Sequence, residues 1–505
     1  MADLVRGAPG VDADPAAAVT SLAEAARSAR SRLATHWPVT LLTAVLFVAY
    51  SGYALTRQAT YLTAGYDLGI FDQAVRDYAR FQAPEVPLKG ADYNILADHF
   101  HPIIALAAPL YWIWDSPNVL LLLQVALIAA SVPVVYSFAL RRMSRGGALV
   151  VAVAYSFGWA IQAMVDFDFH EVAWGVPILA VAIDALDRRN DRTLLISAGL
   201  LLLVREDMGA VLVMLGLLRA LQRPRRTGYL LIGAGAAGYL LVTSVIIPAF
   251  APTGQFAYWT FDALGEDLPH ALLNIVIHPV RTLELLFTPA VKAQTLAYFF
   301  LPLALLPLRS RYSLIAAPLL AQRFFNSRDH LWTTHFHYNA LPWLVLVLAM
   351  VDGGARLGIW SRPRLNRLML AWLLVVPIYL STVANITAPV VRRMLIGSAW
   401  RMDDHLRAQQ AAVRQVPRSV CVSVDDRLAT HLTNSNRVTL PGIPTPRTDF
   451  VVLDMSQEQV GFPLDSPQKV LADSRAAGFT QVFAQGDLLV LRSPDYTGPS
   501  SLCRP

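Results

Sequence analysis

The sequence predicts a mainly α protein: a polytopic bundle of transmembrane helices followed by a small α/β domain. Three observations predict this. Of the 505 residues, 55% are hydrophobic and only 15% charged, where a soluble domain carries about 25% charge. Apolar runs long enough to span a bilayer recur as far as residue 388. Beyond it the chain changes to short strand-like stretches with helical stretches between some of them. The net charge of +6 comes from Arg clusters between the apolar runs, which is how orientation signals are distributed. No basic stretch is interleaved with aromatics, so nucleic acid is not an expected partner. The two cysteines, Cys421 and Cys503, form no Cys-x-x-Cys, which supports neither a zinc nor a redox motif.

Residues 1–37 are Ala-rich and polar, with Arg27, Arg30 and Arg32 near their end. They lack the short basic start and small-residue cleavage site of a signal peptide. They are read as a cytoplasmic tail, and 38–55 as a retained span. Tyr66-Asp67-Leu68-Gly69-Ile70-Phe71-Asp72-Gln73 then emerges on the outer side. Partial desolvation beside a bilayer can raise a carboxylate's pKa and suit it to act as a base. The plain alternative is a solvated loop with Asp67 as a helix N-cap.

After His99 and His101, residues 102–114 would be only about 20 Å long as a helix, too short for a ~30 Å core, so a re-entrant or interfacial segment is expected. Asn118–Leu140 spans. Residues 148–165 return outward and deliver Asp166-Phe167-Asp168-Phe169-His170-Glu171, and 172–186 go back in. Residues 193–221 hold Arg205-Glu206-Asp207 near their middle. One straight helix would bury three ionisable groups and invert the basic loop that follows. A hairpin of two short helices with the triplet at its apex avoids both.

Residues 228–250 run outward to a long outer loop at 251–291, and 293–308 return. A half-span at 314–322 leads to Arg323, Arg328 and His335-Phe336-His337-Tyr338. Residues 340–351 go in and 368–388 exit, for about 11 crossings with the C-terminus outside. In 389–505, strands are expected at 420–424, 437–440, 450–453, 480–483 and 488–491, and helices at 427–433 and 467–477. This domain carries no phosphate loop and is read as a lid or docking platform. Cys421 and Cys503, alone in an oxidising compartment, are a candidate disulfide. It would close a loop of ~80 residues, worth a few kcal/mol.

With this topology Asp67, Asp72, His99, His101, His170, Glu171, Arg205, Glu206, Asp207, Arg323, Arg328, His335 and His337 gather on one face. Ionisable groups at membrane depth are expensive and mark pathways or sites. Arg205 can pair with its acidic neighbours or fork a lipid phosphate. His335 and His337 can join His170 or Glu171 on a metal only if the i, i+2 pair lies on an extended strand.

The ordered motifs Tyr66–Gln73, His99-Phe100-His101-Pro102, Phe169-His170-Glu171, Arg205-Glu206-Asp207 and His335-Phe336-His337-Tyr338 together resemble a family of prokaryotic membrane proteins labelled domain of unknown function 2079. The resemblance extends over residues 40 to 490 or so. Two departures stand out: Arg205 where Lys is more usual, and Phe-His-Glu where Phe-His-Pro-Glu is. The second bears on the placement of Glu171. The family in turn resembles the GT-C superfamily of integral-membrane glycosyltransferases. That resemblance implies a bacterial cell-membrane enzyme with an extracytoplasmic C-terminal domain. It would use a polyprenyl-phosphate-linked sugar as donor, with inversion, and a cell-envelope glycan, lipid or protein as acceptor, in contact with membrane lipid.

By its position after the first span, Asp67 matches the family's acidic catalytic residue, with Asp72 as the fallback. Arg205, Arg323 and Arg328 would bind the donor phosphate. Tyr66, His99, His101, Glu206, Asp207, His335, His337 and Tyr338 would line the cavity. His170 and Glu171 would hold a divalent Mg or Mn ion if one is used. Two other classes stay open. A transporter or flippase needs charges at several depths. A non-catalytic envelope scaffold needs no base at Asp67.

Overall fold

In the computed structural model, residues 15–382, 390–395, 397, 400, 402–456 and 465–505 are described. The side chains of Arg27, Arg30 and Arg32, and the end of the last apolar run at 388, lie outside them. Four helices are long and apolar enough to cross a membrane: His36–Ala59, Asn118–Leu140, Arg226–Phe250 and His337–Arg356. A bent pair, Arg145–Ser156 and Trp159–Val165, makes a fifth if counted as one span. The expected count of about 11 crossings included shorter helices that fall below that length.

The Ala340–Arg356 helix is the core of the bundle. Every residue from 340 to 354 is buried, as expected of a helix that is apolar all round. Trp343 packs against Trp159, ring centroids 6.1 Å apart. It also explains the bend in the fifth span. A Cβ on Gly158 would lie 2.6 Å from the Trp343 ring, so glycine at the break lets the indole approach the backbone.

The expected hairpin is present. Asp191–Leu202 and Met208–Ala220 fold back on each other, and Arg219 Nε reaches Asp191 Oδ1 at 2.7 Å to close the open end. Gly209 and Gly235 allow Met208–Ala220 to press against Arg226–Leu241, since a Cβ on Gly209 would sit 2.6 Å from the Gly235 carbonyl. Other elements differ from expectation. The run at 293–308 is not one span: the helix Ala290–Phe300 ends there, and Ala304 and Leu305 take positive φ. Leu268–Ile277 and Pro279–Phe287 put two helices in the stretch expected to be a loop at 251–291. Residues 102–114 form a 3-10 turn, Pro102–Ala107, and one α-turn, Ala108–Tyr111, as their shortness predicts.

The C-terminal domain is a five-stranded sheet in the order β2-β1-β3-β5-β4, from β1 (Cys421–Val424), β2 (Arg437–Thr439), β3 (Phe450–Asp454), β4 (Thr480–Gln485) and β5 (Leu488–Arg492). β1 is parallel to β2 and β3, with Val422 opposite Val438 and Phe450. β5 is antiparallel to β3 and β4. A helix the sequence reading missed, Asp404–Arg414, packs on this sheet. Cys421 and Cys503 are bonded, Cα atoms 4.7 Å apart.

Candidate active site

The stretch after the first helix opens with a π-helical turn, Gly65–Gly69, and continues as the helix Ile70–Ala79. Its two carboxylates diverge. Asp72 is fully buried: Arg76 holds both its oxygens at 2.8 and 2.9 Å, and the Tyr111 hydroxyl donates to it at 2.7 Å. Asp67 is not an N-cap; it sits within the π-turn. Its side chain is 29% exposed and lies 3.5 Å from His170 Nε2.

A short helix of the C-terminal domain, Asp426–Ala429, holds this turn from behind. The Tyr66 backbone N–H donates to Asp426 Oδ1 at 2.8 Å, and Arg427 donates to the Leu62 carbonyl at 3.0 Å. Tyr61 stacks on His431 at 3.7 Å. Gly65 is packed so closely that a Cβ there would lie 2.6 Å from Ala429 Cβ. From the other side, Asp168 accepts from the Ala64 N–H at 2.6 Å and faces Arg57 at 3.3 Å. Burial, reinforced by nearby Asp67, pushes the Asp168 carboxyl up to about 6.

The hairpin apex supplies the second group. Arg205 forks onto Asp207 at 2.9 and 2.6 Å and meets Glu171 at 3.4 Å. Its charge is therefore matched twice, and it is not a free clamp. Glu206 faces His99 Nδ1 at 2.7 Å and accepts from the Phe100 N–H at 3.1 Å. Burial opposes a charged His99 ring, but Glu206 outweighs it and raises its pKa to about 9. Asp98 is drawn into the same network. Burial works against its charge, yet Lys89 at 3.0 Å, aided by His99 and a hydrogen bond from the Tyr258 hydroxyl, holds it down to about 2.

Residues 323–338 form the third side. Arg323 is buried and donates to three neutral acceptors: the Leu331 carbonyl at 2.9 Å, Asn339 Oδ1 at 2.8 Å and the Thr333 carbonyl at 2.9 Å. Among the described residues no carboxylate pairs with it. Arg328 lies over the Tyr258 ring at 4.9 Å, and Tyr258 stacks on His99 at 4.1 Å. Phe336, at φ 66°, turns the chain so that His337 stacks on His170 at 3.8 Å, with Tyr338 at 4.1 Å from His337. The Nδ1 of His337 has no hydrogen-bond partner among the described residues.

The hairpin apex and residues 323–338, together with His99, enclose a cavity of about 530 Å³. His99, Arg205, Glu206, Asp207, Arg323, Arg328, His337 and Tyr338 line it. Its remaining wall is largely apolar and includes Leu264, Leu268, Leu272, Ile275, Leu319 and Leu341. Asp67 lies behind the His170–His337 stack, not on the lining. Tyr66 is drawn toward Lys89, whose ammonium sits 4.7 Å over its ring. His101 is buried against Phe71 at 5.5 Å, and neither of its ring nitrogens has a hydrogen-bond partner among the described residues. His335 is exposed and stays outside.

The metal reading does not fit. His170 is committed to Asp67 and the His337 stack, and Glu171 to Arg205. Among the described residues, three converging donors occur only at exposed Glu266, Asp267 and His270, and at Cys421, Asp449 and Cys503, where the sulfurs are bonded to each other. Tyr258, Asp98, Lys89 and Asp168 were missed as site residues. The Asp-Phe-Asp-Phe-His-Glu run already marked Asp168, and Asp98 adjoins His99. Nothing local marks Tyr258.

The profile of a family described as predicted membrane protein (DUF2079) matches residues 57–489. No curated protein matches the sequence. Among solved structures, ArnT from Cupriavidus metallidurans bound to undecaprenyl phosphate is similar in fold. Its TM-score is 0.54 at 13% identity, covering 92% of this chain and 100% of that one. At this identity the likeness shows a shared fold.

Proposed function

The chain belongs to the DUF2079 family of predicted membrane proteins. On that premise we propose that it moves a sugar from a polyprenyl-phosphate donor to a cell-envelope acceptor on the outer face, with inversion. The observation that carries this reading is the composition of the cavity. One wall is apolar enough for a polyprenyl chain, and the other holds Arg323, Arg328 and His337, whose ring stacks on His170, the partner of Asp67. A phosphate on a lipid needs both.

In the reaction, Asp67 takes the proton of the acceptor hydroxyl as that oxygen attacks the anomeric carbon. The anomeric C–O bond to phosphate breaks on the opposite face, and the lipid phosphate leaves with the electron pair. Arg328 and Arg323, whose charges no carboxylate matches among the described residues, meet the growing negative charge. Arg205, matched by Asp207 and Glu171, holds the apex rigid beside the phosphate site. No step runs through a metal.

The test follows label from a radiolabelled polyprenyl-phosphate sugar into acceptor, using protein reconstituted in membranes. Asp67→Asn should lower turnover about 10²–10⁴-fold, the usual contribution of a general base, and leave donor binding intact. Arg328→Gln should weaken donor binding and turnover together, because the phosphate is charged in ground and transition states alike. Transfer at the parent rate by Asp67→Asn would remove Asp67 from the mechanism.

A further inference from the structure

A second cavity, about 770 Å³, shares no lining residue with the first. It lies where the membrane unit meets the outer domain. Gln73, Arg76, Asp77 and Arg80 line one side, and their spacing puts them on a single face of the Ile70–Ala79 helix. The opposite side comes from the sheet end and the C-terminal segment, with Arg418, Arg437 and Arg504.

The charges do not cancel within the lining. Arg76 is matched by Asp72 at 2.8 Å and Asp115 at 2.7 Å. Arg80 donates to the Pro505 carbonyl. Among the described residues, Arg437 has one distant ion pair, to Asp92 at 3.9 Å. Arg418 and Arg504 are exposed and make no ion pair or hydrogen bond among the described residues. Against these stand Asp77 and Glu85, and Asp77 is turned to the Glu85 backbone N–H at 3.0 Å.

We propose that this groove binds an acidic glycan, through guanidinium forks on its carboxylates. Planar forks match carboxylate oxygens in pairs. Between the arginines the lining is amide and hydroxyl, from Gln82, Asn434, Ser435 and Ser501, which suits sugar hydroxyls. It has no aromatic ring on which nucleic-acid bases would stack. The volume falls within the range of small-molecule sites. The C-terminal wall is fixed in place: Cys503 is bonded to Cys421, and the Ser500 N–H donates to the Ser419 carbonyl at 2.8 Å. The site is independent of the transfer chemistry, so binding is read with no donor present.

The experiment titrates full-length protein in nanodiscs with oligogalacturonate, a neutral maltooligosaccharide of equal length, and inorganic polyphosphate. Oligogalacturonate should bind, the neutral chain at least tenfold more weakly, and affinity should fall as salt rises. The Arg418→Gln/Arg504→Gln double variant, altered only at exposed positions, should lose at least tenfold in oligogalacturonate affinity. Asp67→Asn should bind it as the parent does. No binding by the parent, equal binding of the neutral chain, parent-like affinity in the double variant, or binding of polyphosphate alone would each overturn the assignment. A failed transfer assay would leave it standing.

Discussion

His99 and Glu206 show how much at the residue scale depends on a partner distant in sequence. The folded pKa of His99, about 9, lies above its ordinary 6.5 because Glu206 outweighs the cost of burial. The folded state therefore holds that proton more tightly than the unfolded state. The stabilisation is complete below pH 6.5 and is lost as pH rises through 9. Thermal unfolding in detergent should show the melting temperature falling across that window. Glu206→Gln should be less stable at pH 7 and flatter above it; an unchanged slope would mean His99 is not the titrating group. Sequence alone placed Asp67 and Asp72 side by side as candidate bases. The i, i+4 spacing of Asp72 and Arg76 allows a pair, but nothing local marks the Tyr111 hydroxyl that donates to Asp72 or the Asp115 carboxylate that meets Arg76. Arg205 was likewise readable as charged and central, while its second carboxylate, Glu171, comes from another helix.

Among the elements, the hairpin was legible because charge and length left few alternatives. A membrane cannot hold Arg205-Glu206-Asp207 mid-helix and keep the flanking basic loops on one side. The strands were legible as short stretches alternating with helical ones. The Asp404–Arg414 helix and the break after Phe300 were not, since both depend on what packs against them. Nor did the sequence reveal that Asp426–Ala429 braces the Asp67 turn. That brace makes a testable pair. Gly65→Ala puts a Cβ 2.6 Å from Ala429 Cβ, an overpacking that should cost about 1–3 kcal/mol and shift Asp67. Adding Ala429→Gly should restore much of the stability and turnover. A double-mutant cycle with no coupling between the two positions would show that the brace does not act there.

The whole molecule brings groups from separate segments to one cavity. Reporters fused after Arg145, Arg226 or Arg367 should read cytoplasm, and one fused after residue 388 should read the outer side. A cytoplasmic signal from the last would overturn the assignment of the cavity to the outer face. The role of the C-terminal domain was the least legible part. A lid or platform was expected, and the structure has it packed against the turn that carries Asp67.

That contact has a consequence for biogenesis. The Asp67 turn is synthesised early, and its supporting carboxylate, Asp426, leaves the ribosome some 360 residues later. Membrane helices insert as they emerge, so a nascent chain can hold its whole bundle in the bilayer while the turn still lacks its support. Competence would then arrive only when the sheet has folded on the same side as the turn. An arrested or truncated chain would sit in the membrane as an inert intermediate, without releasing a half-formed base onto lipid-linked sugars. A time course of ribosome release against transfer activity would see the two events coincide.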